Sequence, residues 1–171
     1  MASELNALKA LRHPGQEIPF EADCIVEDMD FAGDPVSFRD IKIEGTMLGA
    51  GEKVSVRAEV TATMKSRCVR CLEDVEMTIS AQIDGDFAKE EDPDDPDLYV
   101  FEGNIIDITD AARDALIMEI PTRILCSEEC KGLCPTCGVN RNKVSCSCQE
   151  EEAMPNPFAA LKSIVLNDEE V

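Results

Sequence analysis

The chain has 171 residues, of which 36 are acidic and 16 are basic, so its formal net charge is -20. This charge argues against a protein that coats nucleic acid with its whole surface, because phosphate binding depends on Lys and Arg, and it suits a basic partner instead. A hydrophobic content of 44% excludes a wholly disordered chain. The length is enough for one domain with a core and a small appendage.

The N-terminal residues show no targeting pattern. They lack the positively charged start and apolar run of a signal peptide, and no segment reaches the roughly 20 apolar residues that span a bilayer. We therefore expect no membrane partner and a cytoplasmic location, where clustered cysteines bind metal more often than they form disulfides. The spacing of Leu5, Leu8 and Leu11 indicates a short helix near the start.

Alternating apolar and polar residues predict strands over most of the first half of the chain. The segments with this pattern are 17–23, 36–52, 53–64 and 74–87. The last two flank a short connection that contains Cys68 and Cys71, so we expect them to form an antiparallel pair.

The acidic segment 84–102 holds nine carboxylates, one lysine and two prolines, which predicts an exposed loop. Residues 104–108 form a short strand candidate. A helix is expected next, with Thr109 as its N-cap and Pro121 just beyond its end. Its buried stripe would consist of Ile108, Ala112, Ala115 and Leu116.

Six of the nine cysteines fall between residues 126 and 148. The most specific motif is CPTCG, which ends at Gly138. Two thiolates separated by two residues on a tight turn can together bind one zinc ion, each at about 2.3 Å. The glycine allows the positive φ that such a turn requires. Two cysteines further on would complete a tetrahedral set. The candidate ligands of this set are Cys134, Cys137, Cys146 and Cys148.

A second CxxC and two cysteines after the expected helix form another set, and Cys24 remains as a buried thiol. This set is Cys68, Cys71, Cys126 and Cys130. Spacing alone leaves two alternatives open. Cys126 or Cys130 could join the CPTCG pair in a single zinc site, with Cys68 and Cys71 free, or the thiols could be free and redox-active. A site with four sulfurs is closed to water and substrate, so either zinc arrangement would be structural.

The residues for catalysis are few. His13 is the only histidine, and the glycines at 49–51 lack the rest of a phosphate loop, so we predict that the protein is not an enzyme. Seven basic residues lie near the cysteines in the sequence. They either compensate the negative charge of the thiolates or form a small basic surface that binds ribosomal RNA, and we favour the first interpretation. The seven residues are Lys65, Arg67, Arg70, Arg123, Lys131, Arg141 and Lys143.

Three segments together resemble the YceD family, the large ribosomal RNA subunit accumulation proteins of bacteria and plastids. They are RCVRCLEDVE, IPTRILCSEECKGLCPTCGVNRNKVSCSC and PNPFAALKSIV, and the likeness runs from about residue 17 to 166. It implies a cytoplasmic, non-enzymatic role in accumulating large-subunit ribosomal RNA. Some family members lack the CKGLCPTCG block. The resemblance therefore implies that Cys68, Cys71, Cys126 and Cys130 form one site and that the second site is optional.

We therefore predict an α+β fold: an antiparallel β-sheet with one main helix and a cysteine-rich zinc-binding C-terminal module. The expected divisions are a sheet and helix domain (1–121), a zinc module packed on it (122–148), and an acidic tail (149–171) with a short helix starting at Asn156. The expected function is a ribosome-assembly factor that binds a basic ribosomal protein or a large-subunit assembly intermediate. The alternatives are direct binding of ribosomal RNA and, less favoured, a thiol redox or metal-relay protein; the sequence sets no oligomeric state.

Overall fold

The computed structural model describes residues 3–148, and its main feature is a six-stranded sheet. The strands of this sheet are β2 (Glu17–Asp23), β3 (Met29–Phe31), β4 (Asp34–Ala50), β5 (Lys53–Arg67), β6 (Asp74–Ala88) and β7 (Tyr99–Val100). The other elements are β1 (Glu4–Asn6) and β8 (Ile105–Asp107), which pair with each other, and the helices α1 (Ala7–Arg12) and α2 (Thr109–Met118). The described part of the chain is thus mainly sheet, with two helices, of which α1 lies near the start, as the leucine spacing indicated.

The strand order is β2-β4-β5-β6-β7, and β3 forms a hairpin with the start of β4. The predicted antiparallel pairing is confirmed for the three long strands β4, β5 and β6. The last pair differs, because β7 runs parallel to the end of β6. The expected tail helix lies outside the described residues, and neither described helix has the length and hydropathy needed to cross a membrane.

The core lies on one face of this sheet. Along β5, Val54, Val56 and Val60 are fully buried, whereas the alternate residues Ser55, Arg57 and Glu59 are half-buried or exposed. Ala112 and Leu116 of α2 join the same core cluster. The period-two pattern of the sequence therefore reports one covered face and one polar face.

Both helices differ in detail from the expectations. Thr109 is the first residue of α2 and not its cap; its backbone N–H donates to Oδ1 of Asp107 at 2.9 Å. Ala115 is only partly buried, and Ala111 takes its place against the core. Leu5 lies on β1, so the buried side of the short α1 consists of alanines, Ala7 and Ala10.

The prediction of one loop over 84–102 is wrong at both ends. Its first five residues belong to β6, and β7 lies near its other end, so the loop itself spans 89–98. Apolar contacts order both ends of this segment, because the rings of Phe87 and Tyr99 stack with centroids 5.0 Å apart and Phe101 is buried. Lys53 binds two carboxylates of this loop, those of Asp92 and Asp95, at 3.5 and 3.3 Å.

The carboxylate of Asp107 gives a testable pH dependence. The hydroxyl and then the backbone N–H of Thr109 hold the pKa of Asp107 below its ordinary value. Because the folded pKa is depressed, the stabilisation is complete above the unfolded pKa of about 3.9 and is lost as the pH falls through the folded pKa. We expect Asp107→Ala to cost about 1 kcal/mol at pH 7, or about 2–4 °C in the thermal midpoint.

Thermal unfolding of wild type and Asp107→Ala between pH 7 and pH 3 measures this difference directly. Glu102→Ala, at another exposed acid before α2, is the control and should show none. A difference for Asp107→Ala that stays the same at pH 3 would contradict the assignment.

Candidate metal centres

Four cysteines from distant parts of the chain meet at one end of the sheet. We call Cys68, Cys71, Cys126 and Cys130 cluster 1; their Sγ atoms all lie within 4.8 Å of one another. The Sγ–Sγ distance is 3.7 Å for Cys68 and Cys130 and 3.6 Å for Cys71 and Cys126. Four sulfurs placed tetrahedrally at about 2.3 Å from zinc are about 3.8 Å apart, whereas a disulfide requires about 2.05 Å. The spacing of cluster 1 therefore fits a metal ion and not a disulfide.

The turn between β5 and β6 positions half of cluster 1. The backbone N–H of Cys68 donates to the carbonyl oxygen of Glu73 at 2.8 Å, and the N–H of Leu72 donates to the carbonyl of Cys68 at 2.9 Å. Leu72 adopts a left-handed φ of 61°, which is unusual for a leucine and closes the turn. The N–H of Val69 binds the carbonyl of Ile124 at 2.9 Å, which ties this turn to the segment after α2.

Cluster 2 is more local. We give this name to Cys134, Cys137, Cys146 and Cys148, whose Sγ atoms also lie within 4.8 Å of one another. The CPTCG turn closes as expected: the N–H of Gly138 donates to the carbonyl of Cys134 at 2.8 Å, and Gly138 has a φ of 73°. In this cluster only Cys134 is buried, whereas three members of cluster 1 are.

Each cluster contains at least one thiol whose pKa lies well below its ordinary value. Burial alone would raise the pKa of Cys68, but neighbouring backbone N–H groups donate to its sulfur and lower the pKa to about 6. Backbone N–H groups also lower the pKa of Cys134 to about 6. The backbone N–H of Glu73 lowers the pKa of Cys71, but burial and hydrogen bonding to the other thiols outweigh it and raise this pKa to about 12. Hydrogen bonding to Cys137 is the main cause that raises the pKa of Cys148 to about 12. Four thiolates side by side repel one another, so a bound cation would be needed to hold all four ionised.

Comparison with known proteins decides the family. Residues 56–165 match the family described as large ribosomal RNA subunit accumulation protein YceD. The chain belongs to the YceD family. The resemblance noted from its sequence is thereby confirmed, and the family is linked by its description to the accumulation of large-subunit ribosomal RNA.

Individual relatives cover different parts of the chain. A Bacillus subtilis protein described as uncharacterized protein YlbN is 29% identical over 133 residues, 76% of this chain and 77% of its own length. The large ribosomal RNA subunit accumulation protein YCED homolog 1, chloroplastic, of Arabidopsis thaliana is 45% identical over 47 residues, 28% of this chain and 15% of that one. The Mycobacterium leprae protein described as uncharacterized protein ML1660 is 32% identical over 114 residues, 63% of this chain and 50% of that one. No solved structure is significantly similar.

In this YceD family member polar side chains of the loop between Cys137 and Cys146, which the sequence did not indicate as important, contact cluster 1 and the β5–β6 turn. The Nδ2 of Asn142 donates to Sγ of Cys130 at 3.3 Å, and its Oδ1 accepts from the N–H of Lys131 at 2.8 Å. The Nδ2 of Asn140 donates to Oε1 of Glu73 at 3.1 Å. The sequence NRNK between CPTCG and CSC indicated only loop character, since the partners of these asparagines are distant in the chain.

The basic residues of the cysteine-bearing segments contact the protein itself. The guanidinium of Arg70 donates to the carbonyl oxygen of Cys130 at 3.0 Å, and Nζ of Lys143 lies 2.8 Å from Oε1 of Glu73. Lys143 is the main cause that lowers the pKa of Glu73. These contacts support the view that the cations stabilise this end of the YceD fold.

The structure gives a definite position to each of the nine cysteines. The eight candidate ligands are brought together in two groups of four, and both Cys126 and Cys130 lie in cluster 1, away from the CPTCG pair. Cys24 stands apart; it is 9% exposed, and burial is the main cause that raises its pKa to about 11. His13 directly follows α1 and is exposed.

Proposed function

We propose that this protein is a non-enzymatic, cytoplasmic ribosome-assembly factor that supports accumulation of large-subunit ribosomal RNA by binding a basic ribosomal protein or an assembly intermediate. The observation that carries the proposal is a formal charge of -20 in a member of a family described by this RNA. A strongly acidic surface speeds and orients encounters with basic partners. Ribosomal RNA itself carries the same sign of charge.

The acidic loop 89–98 presents part of this charge in a fixed position. Lys53 holds the carboxylates of Asp92 and Asp95, and the pairing of β7 with β6 fixes the end of the loop. Asp94 and Asp97 remain exposed between these anchors. A loop held in this way presents its carboxylates with little entropy left to lose on binding.

Two structural zinc ions fit the clusters, since each provides four thiols at spacings suited to a tetrahedral ion. Bound zinc would supply folding free energy to a segment with little core of its own. We therefore retain the division into a sheet and helix domain (1–121), a zinc module packed on it (122–148) and a tail (149–171). The proposed ligands are Cys68, Cys71, Cys126 and Cys130 at one site and Cys134, Cys137, Cys146 and Cys148 at the other.

Direct RNA binding and thiol redox chemistry are weaker proposals. The former would use the basic residues near the cysteines, but Arg70 and Lys143 already contact protein oxygens. The latter would require accessible thiol pairs, whereas Cys126 is the one exposed thiol of cluster 1 and Cys68, Cys71 and Cys130 are at most 4% exposed. Rapid alkylation of these three thiols in the folded, zinc-loaded protein would reverse this ranking.

Neutralising the acidic loop tests the proposal. In a bacterium that lacks its own YceD family gene, we expect wild type to restore the ratio of large- to small-subunit ribosomal RNA. The variant Glu91→Gln/Asp94→Asn/Asp97→Asn should restore less than half of it, because these exposed carboxylates attract the partner. These three leave the two carboxylates that bind Lys53 intact.

The matched control removes three exposed acids from β2: Glu17→Gln/Glu21→Gln/Asp23→Asn. It changes the net charge by the same amount and should restore the ratio fully. Full restoration by the loop variant would show that the loop does not receive the partner, and failure of wild type would refute the assembly role.

A further inference from the structure

We propose that the open edge of β6 is a docking site for an extended, lysine- or arginine-rich segment of a protein partner, which adds to the sheet as a further strand. The proposal rests on the basic protein partner proposed above and names the surface and the mode of binding. Addition of a strand to a sheet edge is a general way to bind an extended peptide, because the backbone supplies affinity and alternate side chains supply specificity.

The edge is long and unpaired within the described part of the chain. β6 pairs with β5 along one side from Asp74 to Phe87, and with β7 only at Phe87 and Ala88. Among residues 3–148, no backbone hydrogen bond from outside β5 reaches β6 between Asp74 and Gly85. About 40 Å of this edge therefore has outward N–H and C=O groups that pair with no other strand among the described residues.

The opposite edge of the sheet is built differently. β2 has seven residues and contains Pro19, which lacks a backbone N–H and blocks the addition of a strand. β6 contains no proline, and its pairing with β5 shows no register shift. Of the two edges, β6 is therefore the one whose backbone is free to accept a strand.

The inner face of β6 is incompletely covered near its start. Val75 and Met77 are half-buried, whereas Ile79 and Ile83 further along the strand are buried. Met118, at the end of the helix α2 that packs against β6, is 84% exposed. An added strand with apolar residues at alternate positions would cover Val75 and Met77, which adds an apolar contribution to the backbone pairing.

The outer face of β6 is acidic at both ends and neutral in the middle. Its outward residues are Asp74, Glu76, Thr78, Ser80, Gln82, Asp84 and Asp86. At the later end they open into a cleft of about 720 Å³, lined also by Asp97 and Asp114 with Arg57 as the cation. Glu76 and Asp84 form exposed pairs with Lys65 and Arg57 at 2.6 and 3.4 Å, and such pairs exchange readily for new partners.

This charge pattern indicates which kind of segment can pair with the edge of β6. If two copies paired antiparallel through β6 about Ser80, Asp74 would face Asp86 of the other copy and Glu76 would face Asp84, and like charges opposite each other destabilise a sheet. The chain's own residues 149–171 carry six acids and one lysine, so they are repelled as well. A segment with basic residues at both ends and neutral residues between them matches the edge.

Synthetic peptides test the edge directly on the full-length, zinc-loaded protein. The probe has 13 residues, with valine at alternate positions, lysine at the intervening positions near both ends and threonine at the centre. Two isomers carry N-methyl groups on alternate amides, one isomer on the odd set and the other on the even set. Their charges are equal, but only one of them directs its methylated amides toward β6, where they cannot donate hydrogen bonds. Isothermal titration should show that the probe binds, that one isomer loses at least about tenfold in affinity, and that the other binds within about threefold.

The proposal is overturned if both isomers bind as the probe does, since charge alone would then explain binding. It is equally overturned if both isomers fail, if the probe binds more weakly than about 1 mM, or if a glutamate version of it binds as well. A protein dimer that disperses when the probe is added would assign the edge to a second copy and refute the basic segment as its natural occupant.

Charge variants separate this edge from the rest of the acidic surface. Asp74→Asn/Asp84→Asn/Asp86→Asn should bind the probe about tenfold more weakly, whereas the β2 triple variant described above should change binding less than twofold. Loss of probe binding in both triples would overturn the edge assignment in favour of net charge. If the peptide tests fail but the loop variant still impairs ribosomal RNA accumulation, the assembly function stands without this edge. If the peptide tests succeed but wild type fails to restore ribosomal RNA accumulation, the function is refuted and the edge stands.

Discussion

Replacement of Cys71 with serine is expected to release one of two bound zinc ions and to lower the thermal midpoint by at least about 10 °C. Cluster 1 joins the β5–β6 turn to the segment after α2, and Cys68, Cys71 and Cys130 form a buried cluster with Val75 and Leu125 packed against it. Loss of its metal would therefore loosen one whole end of the sheet, at a cost of about 3 kcal/mol or more. Native mass spectrometry gives the metal count, and calorimetry gives the midpoint.

Two further cysteine variants complete this experiment. Cys146→Ser should release the other zinc ion but lower the midpoint by less than about 5 °C, because cluster 2 closes only the local segment 134–148 and only one of its thiols is buried. Cys24→Ala is the control and should retain both ions. Two zinc ions in Cys71→Ser, or one in Cys24→Ala, would contradict the proposed ligand sets.

Substitution of Gly45 with alanine is expected to be among the most damaging changes to the sheet. Gly45 lies opposite Ala58 in the β4–β5 pair. A Cβ at Gly45 would overlap the carbonyl oxygen of Arg57 and lie 2.5 Å from Cα of Ala58. Because these are backbone atoms of the two central strands, no flexible side chain can move aside. We expect a loss of at least about 3 kcal/mol in the free energy of unfolding, measured by denaturant titration of the zinc-loaded protein.

Gly51→Ala is the matched control, in the turn between the same two strands. Its Cβ would meet nothing within 4 Å, but Gly51 has a φ of 67°, so only the left-handed conformation costs free energy, about 1 kcal/mol. A Gly45→Ala protein as stable as Gly51→Ala would show that the strands separate more easily than their register implies.

The sequence alone predicted the features that depend on neighbours along the chain. The alternation in 53–64 and 74–87 predicted β5 and β6, because a pleated strand with one covered face repeats every two residues. The helical spacing around Leu116 similarly predicted α2. The CPTCG turn needed a left-handed glycine at Gly138, and the structure has it there. In each of these cases the cause and the effect lie within a few residues.

Other features depended on contacts between distant segments. β7 consists of two residues and forms because the ring of Tyr99 stacks on Phe87. The acidic composition of segment 84–102 predicted a loop and gave no indication of this contact. Short elements of this kind have too little pattern of their own to be recognised from sequence.

The sequence by itself therefore determined the acidic charge, the long strands, one helix and the supply of cysteines. Only the tertiary structure decided how the cysteines group, because spacing allowed Cys126 or Cys130 to join the CPTCG pair and the meeting of the β5–β6 turn with the segment after α2 brings both to cluster 1. It also decided that β6 has a long open edge. Alternating residues look alike in an edge strand and in a central one, since the pattern records which face of a strand is covered and not which neighbours complete its hydrogen bonds.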